Sequence, residues 1–168
     1  MLRKLFALAL LGALPLLLSC KKSQKETYTG PPGYMHLEAK VTLKTTSLTL
    51  VGLIKTHGLD ECNAQQAEVK ADVIGGLLDE CEECLKSYTS ECLEEPPYFY
   101  AATFDNKPIH QTYLSTKEVP ETKLRDERFV IFGVPKAVAT KVCQEMCQTY
   151  RTKNTGIDVS CHCIESSK

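Results

Sequence analysis

The sequence predicts an α+β domain, with two helices on one face of a mainly antiparallel sheet and disulfides as braces. Two observations point to the layers. Segments in which apolar and polar residues alternate lie before, between and after two longer stretches whose apolar residues recur at threes and fours. These are the periods of half-buried strands and of amphipathic helices. A third observation points to the braces. Of nine cysteines, eight lie beyond residue 60: Cys62, Cys81, Cys84, Cys92, Cys143, Cys147, Cys161 and Cys163. An even set of this density in an exported chain reads as a framework of up to four bridges.

The first 20 residues carry the signs of export. Arg3 and Lys4 are followed by an apolar run over residues 5–18. That is the length of a secretory h-region and shorter than the roughly 20 residues of a membrane span. The run ends in Leu17-Leu18-Ser19-Cys20, which resembles the lipobox of bacterial lipoprotein precursors. The resemblance covers residues 1–20 only. It implies removal of residues 1–19, a thioether-linked diacylglycerol on Cys20, and an acyl chain such as palmitate on the new N-terminus. The protein is then expected at the cell membrane or outer membrane, lipid-anchored and facing the periplasm or the cell exterior. Losing Arg3 and Lys4 takes 20 basic residues to 18 against 21 acidic ones, a formal charge of about −3. That balance excludes an ordinary nucleic-acid binder, which would present a basic surface.

Residues 20–34 are polar and contain Thr29-Gly30-Pro31-Pro32-Gly33, a composition suited to a flexible tether. Lys21, Lys22 and Lys25 would lie beside lipid headgroups. The domain is assigned to residues 35–168. Met35, Leu37, Ala39, Val41 and Leu43 alternate as in a strand. A turn at 44–47 and a second strand through Leu48, Leu50 and Leu53 follow, or else one long bent strand. Over residues 63–88 the period changes. Ala67, Ala71, Ile74, Leu78, Cys81, Leu85 and Tyr88 mark one helical stripe, with Asn63 as N-cap. Gly75-Gly76 inside it would cost about 1 kcal/mol per glycine relative to alanine.

Beyond Pro96-Pro97, the aromatic run Tyr98-Phe99-Tyr100-Ala101-Ala102-Thr103-Phe104 is strand-like, and Asp105-Asn106-Lys107-Pro108 is turn chemistry. Residues 109–114 are expected to return as its hairpin partner. Arg128-Phe129-Val130-Ile131-Phe132 reads as a central strand. Pro135 is placed near the first position of a second helix with Val138, Val142, Met146 and Tyr150 on its buried face, and Asn154 and Gly156 end it. Residues 157–164 form a last strand, with Cys161 and Cys163 on one face. The order of elements is similar to that of the ferredoxin-like plait. In that plait the helices run antiparallel, so the bridges Cys81–Cys147 and Cys84–Cys143 are expected. Bridges from Cys143 and Cys147 to the last strand are the competing arrangement.

Cys81-Glu82-Glu83-Cys84 has CxxC spacing, but redox catalysis needs a stabilised thiolate. Asp79, Glu80, Glu82 and Glu83 disfavour one, so the motif reads as structural. Glu91, Glu94 and Glu95 continue an acidic stretch that reads as a solvated face. His36, His57 and His110 are isolated, and no Ser-His-Asp signature, phosphate loop or HExxH motif occurs. No catalytic residue and no cofactor is therefore predicted. The leading reading is a non-enzymatic, lipid-anchored binding module. Its partners are the membrane, through the anchor, and an envelope or surface protein. The alternative is a metal-binding envelope lipoprotein using Cys81, Cys84, Cys143, Cys147, Cys161 and Cys163 as ligands.

Overall fold

The computed structural model describes residues 28–43, 46–73, 75, 81–120 and 125–167. The fold is α+β, built on a six-stranded sheet in which every neighbouring pair is antiparallel. The elements are β1 (Gly33–Leu43), β2 (Thr46–Thr56), α1 (Leu59–Asp72), β3 (Leu85–Leu93), β4 (Tyr113–Thr116), β5 (Asp126–Phe132), α2 (Lys136–Lys153) and β6 (Cys161–Ile164). Among the described residues two 3₁₀ segments occur, Glu82–Cys84 just before β3 and Tyr98–Asp105 between β3 and β4. The spatial order is β3-β1-β2-β5-β4-β6. It departs from the ferredoxin-like order because β1 and β2 pair as a hairpin before the first helix. A strand followed by a helix and a parallel neighbour is thereby avoided.

Alternation in β1 puts Met35, Leu37, Ala39 and Val41 in the core, while Glu38 and Lys40 stay exposed. The register with β2 sets Met35 against Ile54 and Ala39 against Leu50. Leu37 faces Gly52, and Gly52 faces Phe129 of β5. A Cβ on Gly52 would lie 2.7 Å from Leu37 Cγ and 2.9 Å from Phe129 Cε1, so glycine lets two large neighbours close over the central strand. β2 and β5 occupy the middle of the sheet and are buried on both faces, which explains the apolar run over 129–132. The buried residues of α1 and α2 join one cluster with the inner face of both sheet halves. Each helix covers its own half, α1 over β1, β2 and β3 and α2 over β4, β5 and β6.

Three expectations are corrected. The helix expected over 63–88 ends at Asp72, and residues 85–93 form β3. Tyr88, Ser90 and Cys92 face Ala39, Leu37 and Met35, so this segment also carries a period of two. Pairing with β1 satisfies backbone groups that a free edge would leave to solvent. The aromatic run Tyr98–Asp105 is a 3₁₀ segment rather than a strand. Pro97 sets its start, Tyr100 N–H donates to Pro97 O at 2.8 Å, and Asn106 ends it in the left-handed region at φ 55°. Of the hairpin partner expected at 109–114, only Tyr113 and Leu114 lie in a strand, β4, which pairs with β5 and β6. β1 itself begins at Gly33, two residues before Met35.

The 3₁₀ segment covers the outer face of the sheet. Tyr100 packs with Val51, Tyr113, Val130 and Phe132. Arg128, 2% exposed, clamps the segment to the sheet. Its guanidinium donates to Thr103 O, Thr116 O and Glu127 O at 2.8 Å and to Asp126 Oδ1 at 2.7 Å, under the Phe104 ring. A buried cation persists only with such saturation of its donors.

Candidate functional site

Where α1 ends and α2 approaches its own C-terminus, the two helices leave a cavity of about 360 Å³ over β5. Val69 and Val73 from the first helical stretch, Phe129 from β5 and Met146 from α2 form apolar walls. Glu127 and Tyr150 also line it. Glu127 belongs to the inner row of β5, two residues before Phe129, so the pleat turns its carboxyl toward the helices. It is 4% exposed. The Tyr150 hydroxyl donates to Glu127 Oε2. Arg125, just before β5, lies 3.8 Å from Glu127 Oε1 and reaches across to α1, with contacts of 2.8 Å to Asp72 and 3.3 Å to Glu68.

Burial pushes the Glu127 carboxyl up to about 7. The Tyr150 hydrogen bond and the Arg125 charge oppose that rise, while Asp72 and Asp126 add to it. Tyr150 is itself raised well above its ordinary value, by burial first and then by the Glu127 carboxylate. Burial works against the Arg125 guanidinium, but Asp72, Glu127 and Glu68 outweigh it and hold its pKa above the ordinary value. The arrangement therefore places a proton-exchanging carboxyl, with a hydroxyl donor on one oxygen, at the wall of a largely apolar cavity. Convergent polar groups and a displaced titration in a concave, apolar setting are the usual marks of a ligand site.

The cysteines form four bridges: Cys62–Cys92, Cys81–Cys84, Cys143–Cys163 and Cys147–Cys161, with Cα separations of 5.9, 5.3, 5.9 and 5.7 Å. The interhelical bridges Cys81–Cys147 and Cys84–Cys143 are not formed. With α1 ending at Asp72, Cys81 caps a 3₁₀ turn whose last residue is Cys84, and the two bond to each other. The α2 cysteines take the next element in the chain, β6, whose Cys161 and Cys163 share one face. The six cysteines of the metal-ligand set are thus all bridged, and among the described residues no group of three His, Cys, Asp or Glu side chains could hold a metal ion. Glu82, Glu83, Glu91, Glu94 and Glu95 are exposed; Asp79 and Glu80 lie outside the described residues, as does Cys20.

No protein-family model matches the chain, and no curated protein or solved structure matches it either.

The histidines do not converge on one another. His36 pairs with Glu91 at 3.1 Å, His57 with Glu61 at 3.0 Å, and His110 is exposed. Among the described residues no helix is long and apolar enough to cross a membrane. Sequence reasoning marked Tyr150 as part of the buried face of the second helix but passed over Arg125 and Glu127. One signal was present: stepping back by twos from Ile131 and Phe129 lands on Glu127, a carboxyl in the apolar row of a central strand.

Proposed function

We propose that the protein is a non-enzymatic, lipid-anchored component of a bacterial cell envelope that works by binding. The observation that carries this reading is the cysteine balance. The four bridges use all eight cysteines of the domain, and the ninth, Cys20, stands in the lipobox-like Leu17-Leu18-Ser19-Cys20. Bridges of this number belong to oxidising compartments, since cytosolic thiols are kept reduced. An odd cysteine is accounted for when acyl chains take it. Each buried chain methylene contributes about 0.8 kcal/mol, and two or more chains hold a protein stably at a membrane.

A protein partner in the envelope is the second half of the proposal. Tyr98 and Phe99 are 89% and 82% exposed, with ring centroids 5.9 Å apart, on the first turn of the 3₁₀ segment. Neighbouring aromatics of this exposure are the residue type that interfaces bury at their centres. Membrane fractionation tests the anchor. The native chain should pellet with membranes and require detergent for release, and Cys20→Ala should leave an unprocessed precursor or a soluble form. A Cys20→Ala chain that is processed normally and stays in detergent-extractable membranes would contradict the proposal.

A further inference from the structure

We infer that the pocket at the N-terminal end of α2 binds a phosphate group, held by the Thr112 hydroxyl, the Lys136 ammonium and the first main-chain amides of the helix. The inference goes beyond the anchored-binder reading, because the pocket can be filled whether or not Cys20 carries lipid.

This pocket is separate from the cavity between α1 and α2. It encloses about 230 Å³ where the chain passes from β5 into α2, and His110, Thr112, Ile131, Lys136, Ala139 and Ser166 are among the residues that line it. The first feature is Thr112. The residue is 2% exposed, yet its hydroxyl has no hydrogen-bond partner among the described residues. A buried hydroxyl left unpaired costs free energy, so it points to a polar group that completes it. Thr112 O accepts from Ile131 N–H at 3.0 Å, which fixes the residue beside β5. Tyr113 faces the outer cluster and Leu114 the core under the helices. Alternation therefore turns the Thr112 side chain to the helix side, where Ala139 of the first turn of α2 shares the pocket.

The second feature is the helix end itself. α2 runs for 18 residues from Lys136, and its cap position is Pro135, which offers no side-chain acceptor. Val138 and Ala139 N–H both donate to Pro135 O, at 2.9 and 3.0 Å. The Lys136 and Ala137 N–H have no acceptor among the described residues. No acidic side chain lies in the first turn to complement the positive end of the helix dipole. Lys136 adds a full charge at the rim. Its Nζ stands 3.4 Å from Glu165 and donates to Ser166 O at 3.2 Å. A solvent-exposed pair of this kind holds its partners weakly. No carboxylate is among the residues that line the pocket. The donors thus come from the floor, the helix end and the rim. A phosphate presents an oxygen to each, whereas a carboxylate has two to share. A cation would meet the like charge of Lys136 and of the helix end.

The full protein, isotope-labelled and isolated with its bridges intact, is titrated with inorganic phosphate, glycerol phosphate and acetate, each against potassium chloride of equal ionic strength. Phosphate should shift the Lys136 and Ala137 amide resonances saturably and raise the melting temperature with concentration. Acetate should bind more weakly. Glycerol phosphate binding at least as tightly as the inorganic ion assigns the site to a phosphoryl group carried on a larger molecule, a lipid headgroup included. A preference for the inorganic ion assigns it to free phosphate. Thr112→Val keeps the shape of the side chain and removes the unpaired hydroxyl. It should weaken phosphate about tenfold, as loss of a hydrogen bond to a charged group predicts. Without phosphate, its melting temperature should equal or exceed the native one. Lys136→Gln should also weaken phosphate severalfold, and Lys141→Gln, an exposed lysine further along α2, should not. The inference fails if chloride or acetate moves the same amides as strongly as phosphate, or if Thr112→Val binds phosphate like the native protein. It fails equally if Lys141→Gln weakens binding as much as Lys136→Gln, or if phosphate does not bind at millimolar concentration.

Discussion

Replacing Glu127 by glutamine should make the protein more stable at neutral and alkaline pH. Glutamine keeps the volume and an oxygen acceptor for Tyr150 but carries no charge to bury. In the folded protein the carboxyl is held at about 7 against an ordinary value of 4.5. A raised folded pKa means the native state binds the proton more tightly than the unfolded chain. The associated stability is fully present below about 4.5, falls as pH rises toward 7, and is gone above it. At roughly 1.4 kcal/mol per pH unit, the loss between those limits is ~3 kcal/mol. For a domain of this size, that corresponds to roughly 10 °C in melting temperature. Urea or thermal unfolding with the bridges intact, at several pH values from 4.5 to 8, separates this group from the other carboxylates by difference. Glu127→Gln should match the native protein near pH 4.5 and exceed it by up to ~3 kcal/mol at pH 8. Parallel stability curves, or a variant weaker than the native protein at pH 8, would refute the reasoning.

Further outcomes follow from packing and chain closure. Bridge removal by paired Cys→Ser exchange should rank with loop length. Cys62–Cys92, with a separation of 30, costs ~4 kcal/mol, and Cys81–Cys84, with a separation of 3, only ~2; denaturant midpoints of the double variants check the order. Gly52→Ala should destabilise by about 1–3 kcal/mol, because its methyl meets Leu37 and Phe129 well inside contact distance. Tyr98→Ser with Phe99→Ser should leave unfolding within about 0.5 kcal/mol of native, given the exposure of both rings, while weakening capture of the proposed envelope partner by crosslinking in intact cells.

The parts of the fold visible in the sequence were those whose pattern is local. β1 alternates without interruption, residues 129–132 of β5 are an unbroken apolar run, and the spacing of Cys161 and Cys163 put both on the face that meets α2. β3 was hidden because residues 81–92 satisfy two periods at once. Cys81, Leu85 and Tyr88 fit a helix, while Tyr88, Ser90 and Cys92 fit a strand. What decides between them is the open edge of β1, far away in the chain. The aromatic run after Pro97 had the composition of a strand, but both neighbours of β5 are already taken, by β2 and β4. It became the 3₁₀ cover held by Arg128 instead. The cavity was illegible for a related reason. Its polar groups come from three elements and meet only once α2 is docked.

The most direct test of the proposed anchor and of the four bridges is mass mapping of material extracted from membranes and digested without reduction. The account predicts an N-terminal peptide that begins at Cys20 and carries acyl chains. It also predicts four linked peptide pairs or loops, Cys62–Cys92, Cys81–Cys84, Cys143–Cys163 and Cys147–Cys161, with no free thiol. An N-terminus elsewhere without acyl chains, or Cys20 recovered in a bridge with one of the eight, would contradict it.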